Sequence, residues 1–288
     1  MSEDQSVDTL WNDHKVHQTK AIHAQPFGHW SGDPIKDWKK TVSEYQGLQL
    51  TYESDRLPAI AALAERMMLI RRGEDRYIAG MWKNTMLSDL SWYHFGRSYS
   101  KPTSTIPSWS WASIQGNVMW AETTPLPGIE VLEVQYTAIG PENIGEVVNA
   151  GIALRGRVIQ VTYKIYLPKA KNLTVPCGVY MAIRNLPLEY SSVIVTHFYP
   201  DFKFTEASPP IVPGDALTAI ILYRERRLRT GLMLRRTIGN AREYERIGLL
   251  SIQHKDYRIR PGISTGQEED NKVEEYVHSL PLQELEII

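Results

Sequence analysis

The chain has 288 residues, 42% of them hydrophobic and 23% charged, with a formal net charge of -1. That is enough for one large domain or two small ones, and a charge near zero excludes a general attraction to nucleic acid or anionic lipid. A single cysteine, Cys177, excludes an intramolecular disulfide and a thiolate zinc site, and no apolar run approaches the ~18 residues of a spanning helix.

The opening "MSEDQSVDTLW" is polar and acidic, without the basic and apolar segments of a secretory signal. The chain is therefore read as cytoplasmic, and the sequon Asn172-Leu173-Thr174 as without meaning. Residues 1–33 read as a polar arm. Its His14, His17, His23 and His29 lack a partner at metal-ligand spacing and read as surface histidines, so no metal site is expected.

Asp33 and Pro34 look like the N-cap and first position of a helix. Ile35, Trp38, Val42 and Tyr45 then form an apolar stripe that Gly47 ends. In "ESDRLPAIAALAERMMLIRRG", Ser54 or Asp55 caps a second helix. Its buried face is Leu57, Ile60, Leu63 or Ala64, Met67 and Ile70, and its stop is Gly73. The stretch "YIAGMWKNTMLSDLSWYHF" keeps roughly the helical period and reads as one or two short helices.

From Pro107 the period falls towards two. "SWSWASI", "IEVLEVQYTAI", "GIALRGRVIQVTYKIYL", "GVYMAIRN", "SSVIVTHFY", "DALTAIILYRE", "TGLMLRRTI" and "YERIGLLSIQH" read as strands separated by Gly, Pro and Asn turns. No helices alternate with them, so an antiparallel sheet is favoured over a parallel one. The expected class is α+β. An N-terminal helical layer over 34–95 packs on a C-terminal antiparallel β-barrel or sandwich over 107–260, in one compact domain spanning 34–260. An acidic tail, 261–288, makes a short helix near Val273 to Val277 and a possible last strand.

Several motifs recur in a recognisable order. Trp38, Val42, Tyr45, Leu50, Thr51 and the run Asp55 to Ala59 come first. Tyr77, Ala79, Gly80, Trp82, Leu87, Leu90 and Trp92 follow, then Pro107 to Ser113, Gly116 and Val118. The run "GLMLRRTIGNAREYERIGLL" closes the series. Over roughly residues 37 to 250 this resembles the region downstream of the HET domain in fungal heterokaryon-incompatibility proteins. Two positions depart from that pattern: Met81 and Ser91 stand where the family has leucine. The HET domain, whose opening resembles "YVALSYCWG", is not found in the sequence. The resemblance implies that the chain corresponds to the downstream module. It implies no catalytic residue, and the shared positions, mostly apolar and aromatic, read as fold determinants.

Candidate chemistry centres on tryptophans. Trp109 and Trp111, in strand geometry, point to one side, and Trp82, Trp92 and Trp120 are expected to join them where helices meet sheet. They are either the ridge on which the helices sit or the wall of an apolar substrate pocket. Glu122, beside Trp120, together with His94 and His197, are the candidate acids and bases. No GxSxG, HExxH, GxGxxG or P-loop pattern occurs, and no cofactor is expected. Arg224, Arg226, Arg227, Arg229, Arg235 and Arg236 share one hairpin, read as ion-paired rather than as a specific nucleic-acid surface.

Two functions follow. One is a cofactor-independent cyclase or isomerase of fungal secondary metabolism that folds an apolar small molecule against the tryptophans. The other is a non-catalytic regulatory or interaction module derived from the incompatibility proteins. A cavity of a few hundred Å³ at the tryptophan junction favours the first, and a filled junction favours the second.

Overall fold

The structure is a computed structural model that describes residues 31–48, 52, 55–71, 75–95, 106–140, 146–166, 178–238, 240, 242–255 and 266–288. Residues 1–30 of the arm with its four histidines, Gly73, the sequon, Cys177 and the first residues of the acidic tail lie outside them.

Helix α1, Pro34–Gln46, starts as the sequence dictates. The Asp33 carboxylate accepts the N–H groups of Ile35 and Lys36, and Pro34 supplies a fixed φ. Its stripe of Trp38, Val42 and Tyr45 is buried. Helix α2, Arg56–Ile70, buries Leu57, Ile60, Ala64 and Met67. Asp55 stands at its N-cap position without a side-chain cap, and Ile70 is 42% exposed.

The region after α2 corrects the sequence reading. In place of helices come strands β1, Tyr77–Ile78, and β2, Met81–Trp82, then a 3-10 turn, a four-residue helix α3, Met86–Asp89, and strand β3, Trp92–His94. The two-residue loop between β1 and β2 is Ala79-Gly80, with φ of 46° and 92°. Two positive φ values make a tight hairpin of the kind usually written Asn-Gly or Gly-Gly, so Ala-Gly hid it. Strand β4, Val118–Trp120, pairs antiparallel with β3. The first third is thus not a purely helical layer. Helix α1 packs mainly on β4 and α2 rather than across the large sheet.

Residues 108–113 are also not a strand. They form a turn followed by a 3-10 turn at Trp111–Ser113. Ser110 stabilises it by accepting the Ala112 N–H on its Oγ while donating that hydroxyl to the Ala79 carbonyl. Serines that bond to nearby backbone compete with strand pairing, which the period-two spacing does not reveal.

Apart from a two-residue strand at Thr124–Pro125 that the sequence reading did not expect, the later strands agree with the sequence. In chain order the strands are β5, Thr124–Pro125, β6, Glu130–Ile139, β7, Glu146–Tyr166, β8, Gly178–Ile183, β9, Val193–Pro200, β10, Ala216–Glu225, β11, Leu228–Arg236, and β12, Glu243–His254. Helix α4, Gly266–Ser279, and strand β13, Leu282–Ile287, complete the chain. One nine-stranded sheet runs β5-β10-β11-β12-β13-β7-β6, with β8 on β7 and β9 on β12. Every pairing is antiparallel except β12 with β13. The long β7 pairs in turn with β6, β13, β10 and β8. Although β10 touches both β11 and β7, β12 and β13 share two residue pairs only, and the sheet is not closed as a barrel.

The central strands are buried on both faces. Residues 217–223, 229–234 and 246–254 are buried without a break, which is why "LTAIILY" and "RIGLLSIQH" read as continuous rather than alternating. Helix α4 packs against β12 and β9. Among the described residues, no helix is long and apolar enough to cross a membrane.

Candidate functional site

The tryptophans do converge, around the Ala79-Gly80 hairpin and the 108–113 turn. Trp38 and Trp111 both donate their indole N–H to the Gly80 carbonyl, at 3.2 and 2.7 Å. The Trp92 indole donates to the Trp109 carbonyl at 2.8 Å. Trp82 meets Trp38 edge to face at 5.6 Å, and Tyr45 meets Trp111 likewise at 6.2 Å. Trp120 stands at the margin, partly buried, donating to the Asp89 carbonyl.

Polar bolts fix this seam to its neighbours. Gln46 donates to the Trp111 carbonyl, and Arg56 donates to those of Ala112 and Ile114. From the large sheet, Arg246 donates to the carbonyls of Leu90 and Trp92 and lies 3.3 Å above the Trp92 ring centre. Its Nε donates to Asp201 at 3.0 Å, and both side chains are essentially unexposed. Burial raises the Asp201 carboxyl to about 6 against the pull of Arg246. The Tyr223 hydroxyl donates to the Leu87 carbonyl, and burial raises it well above an ordinary phenol.

The seam is solid. Trp82, Trp92, Trp109 and Trp111 have 0% exposure, so no space that a water molecule can enter touches their rings. Each buried indole removes about 200 Å² from water, or about 5 kcal/mol before ordering costs. Three donors there, the Tyr77 hydroxyl and the indole N–H groups of Trp82 and Trp109, have no hydrogen-bond partner among the described residues. Packing wins over polar satisfaction at these three atoms.

A cavity of about 310 Å³ lies beyond the 106–114 segment. Ile106, Pro107, Ile114, Val148, Ala150, Phe202 and Ile288 make its apolar wall, and Ser108, Ser113, Asn149, Asp201, Thr237, Glu245 and Arg246 its polar one. None of the five tryptophans, and none of Glu122, His94 and His197, lines it. The expected tryptophan-walled pocket is thus replaced by a filled seam, with the open volume elsewhere. The polar wall is already engaged. Ser108 accepts the Arg246 N–H and donates to the Ile288 carbonyl, Ser113 donates to the carbonyls of Ser108 and Ser110, and Glu245 pairs with Arg235. Among the described residues no histidine, lysine or cysteine lines the cavity to pair with a serine as nucleophile and base.

The three expected acids and bases take separate places. His94 is 4% exposed on the inner side of β3, and burial lowers its pKa, favouring neutral imidazole. Glu122 is exposed after β4. His197 is exposed on β9, its ring parallel to Tyr199 at 6.3 Å. Sequence reading singled out the runs that hold Ser108 and Arg246 but as fold determinants, and it passed over Asp201; their meeting at the cavity depends on pairing between distant strands.

The arginine hairpin is β10–β11. Arg227 pairs with Asp270 and Arg229 with Glu274, both on α4, and Arg235 pairs with Glu245. Among the described residues no group of three His, Cys, Asp or Glu could hold a metal ion. No family model matches the chain, and neither a curated protein nor a solved structure was found to be similar to it.

Proposed function

We propose that this chain is a non-catalytic interaction module, cytoplasmic and needing no cofactor. The observation that carries the reading is the zero exposure of Trp82, Trp92, Trp109 and Trp111. Residues that would have walled a substrate are instead the packing that joins the two halves. The resemblance to the region downstream of the HET domain supports the same reading. Its shared positions Trp38, Val42, Tyr45, Tyr77, Ala79, Trp82, Leu90, Trp92, Trp109, Trp111 and Val118 are all buried, as fold determinants are.

The second reading, a small-molecule enzyme, keeps one observation in its favour. A carboxyl raised to about 6, Asp201, lines a cavity of about 310 Å³. The two are separated by incubating the protein with a metabolite extract of its source and following masses by chromatography. The module reading expects no protein-dependent conversion. A product formed by the wild type and lost in a folded Ala150→Phe variant, which fills the cavity, overturns it.

A further inference from the structure

The cavity of about 310 Å³ has the volume of a small-molecule site, at the lower end of the roughly 300–1,000 Å³ of ligand pockets. Its lining runs from exposed to buried. Val148, at 58% exposure, and Asn149 meet solvent, whereas Ile114, Ala150, Asp201 and Phe202 are buried. A small molecule therefore enters past the first residues of β7 and comes to rest against an apolar wall that water barely reaches.

The charges of the lining cancel. Asp201 is paired with Arg246, and Glu245 with Arg235. An ion moved from water into this wall meets no unbalanced opposite charge, so the loss of its hydration is not offset. The occupant that fits is uncharged.

Most polar groups of the wall are already spent on the protein. The Ser108 hydroxyl accepts the Arg246 N–H and donates to the Ile288 carbonyl. The Ser113 hydroxyl donates to the carbonyls of Ser108 and Ser110, and the Thr237 hydroxyl to those of Asn240 and Glu243. The Arg246 guanidinium is shared among Asp201, Leu90 and Trp92. Asp201 differs. Its Oδ2 accepts Arg246 Nε at 3.0 Å, but among the described residues its Oδ1 meets only Nη2 of the same arginine, at 3.5 Å. A buried carboxylate oxygen so weakly engaged has room for one further donor, and that bond is stronger away from water than at the surface.

We propose that this cavity is a binding site for an uncharged amphipathic molecule. The apolar body lies against Ile114, Ala150 and Phe202, and one hydroxyl or amide N–H donates to Asp201. The site goes beyond the module reading and does not depend on it.

The test titrates the full chain with 3-phenylpropan-1-ol and follows the methyl resonances of Ile114, Val148 and Ala150 by NMR. Three relatives share the phenylpropyl body: 3-phenylpropyl fluoride, which cannot donate, 3-phenylpropylammonium and 3-phenylpropanoate. The alcohol is expected to shift those methyl groups at millimolar concentration and to bind about tenfold more tightly than each relative. Ala150→Phe, which fills the cavity, should abolish the shifts. Val148→Trp, which narrows the entrance at an exposed position, should weaken binding about tenfold. Leu188→Trp, exposed and outside the cavity lining, should not. No shift at millimolar alcohol, shifts confined to other methyl groups, equal binding of the alcohol and any relative, or unchanged binding to Val148→Trp overturns the proposal. The module reading fails separately, by conversion of a metabolite, and that result leaves the binding measurement standing.

Discussion

Replacing Gly80 with alanine presses on the seam at its tightest point. Gly80 has φ of 92°, and a Cβ there would lie 2.8 Å from Trp111 Nε1 and 2.9 Å from its Cε2. Trp111 has 0% exposure and cannot swing away without displacing its neighbours. The positive φ costs about 1–2 kcal/mol for a residue with a Cβ, and overpacking a filled core adds about 1–3 kcal/mol. The expected total is about 2–5 kcal/mol. Gly214 is the control, with φ of 103° and no atom within 4 Å of its would-be Cβ, so Gly214→Ala should cost the conformational share alone. Urea unfolding followed by indole fluorescence measures both. If Gly80→Ala costs no more than Gly214→Ala, the close contact between hairpin and indole does not exist.

Three further outcomes follow from the same geometry. Trp109→Ala should destabilise by about 3–5 kcal/mol and leave a cavity that binds a small apolar molecule such as benzene, read by calorimetry. Arg246→Met strands a buried carboxylate and releases the carbonyls of Leu90 and Trp92, so denaturant titration should show a loss of about 3–5 kcal/mol. A loss below about 1 kcal/mol would contradict the bolting role of Arg246. Burial raises Asp89 from 3.8 to about 6, against the pull of Lys39. A group raised on folding binds its proton more tightly in the folded state, so its contribution is present below pH 4 and fades as pH rises through about 6. The stability of wild type relative to Asp89→Asn should therefore fall by about 3 kcal/mol between those limits, and a rise would refute the assignment.

Much of the fold is legible in the residues. Asp33-Pro34 marks the start of α1, and the apolar spacing in "RLPAIAALAERMM" marks the inner face of α2. Period-two runs locate β6 to β12, and even the last helix and strand are visible in the tail. The junction was legible as a meeting of tryptophans but not in its backbone. Ala79-Gly80 makes a two-residue hairpin from a loop sequence without asparagine, and Ser110 turns "SWSWAS" out of a strand by bonding to nearby backbone. Both are local effects that alternation of polar and apolar residues cannot encode. Whether the junction was filled or hollow was also beyond reach, because shape complementarity between Trp111 and Gly80 belongs to residues 31 positions apart.

Xenon tests the filled seam most directly. In a crystal of the wild-type chain held under xenon pressure, the account predicts no bound atom among Trp82, Trp92, Trp109 and Trp111, and a new one at that place in Trp109→Ala. Xenon seated against those rings in the wild type would mean a hollow junction, and would return the tryptophans to the role of a substrate wall.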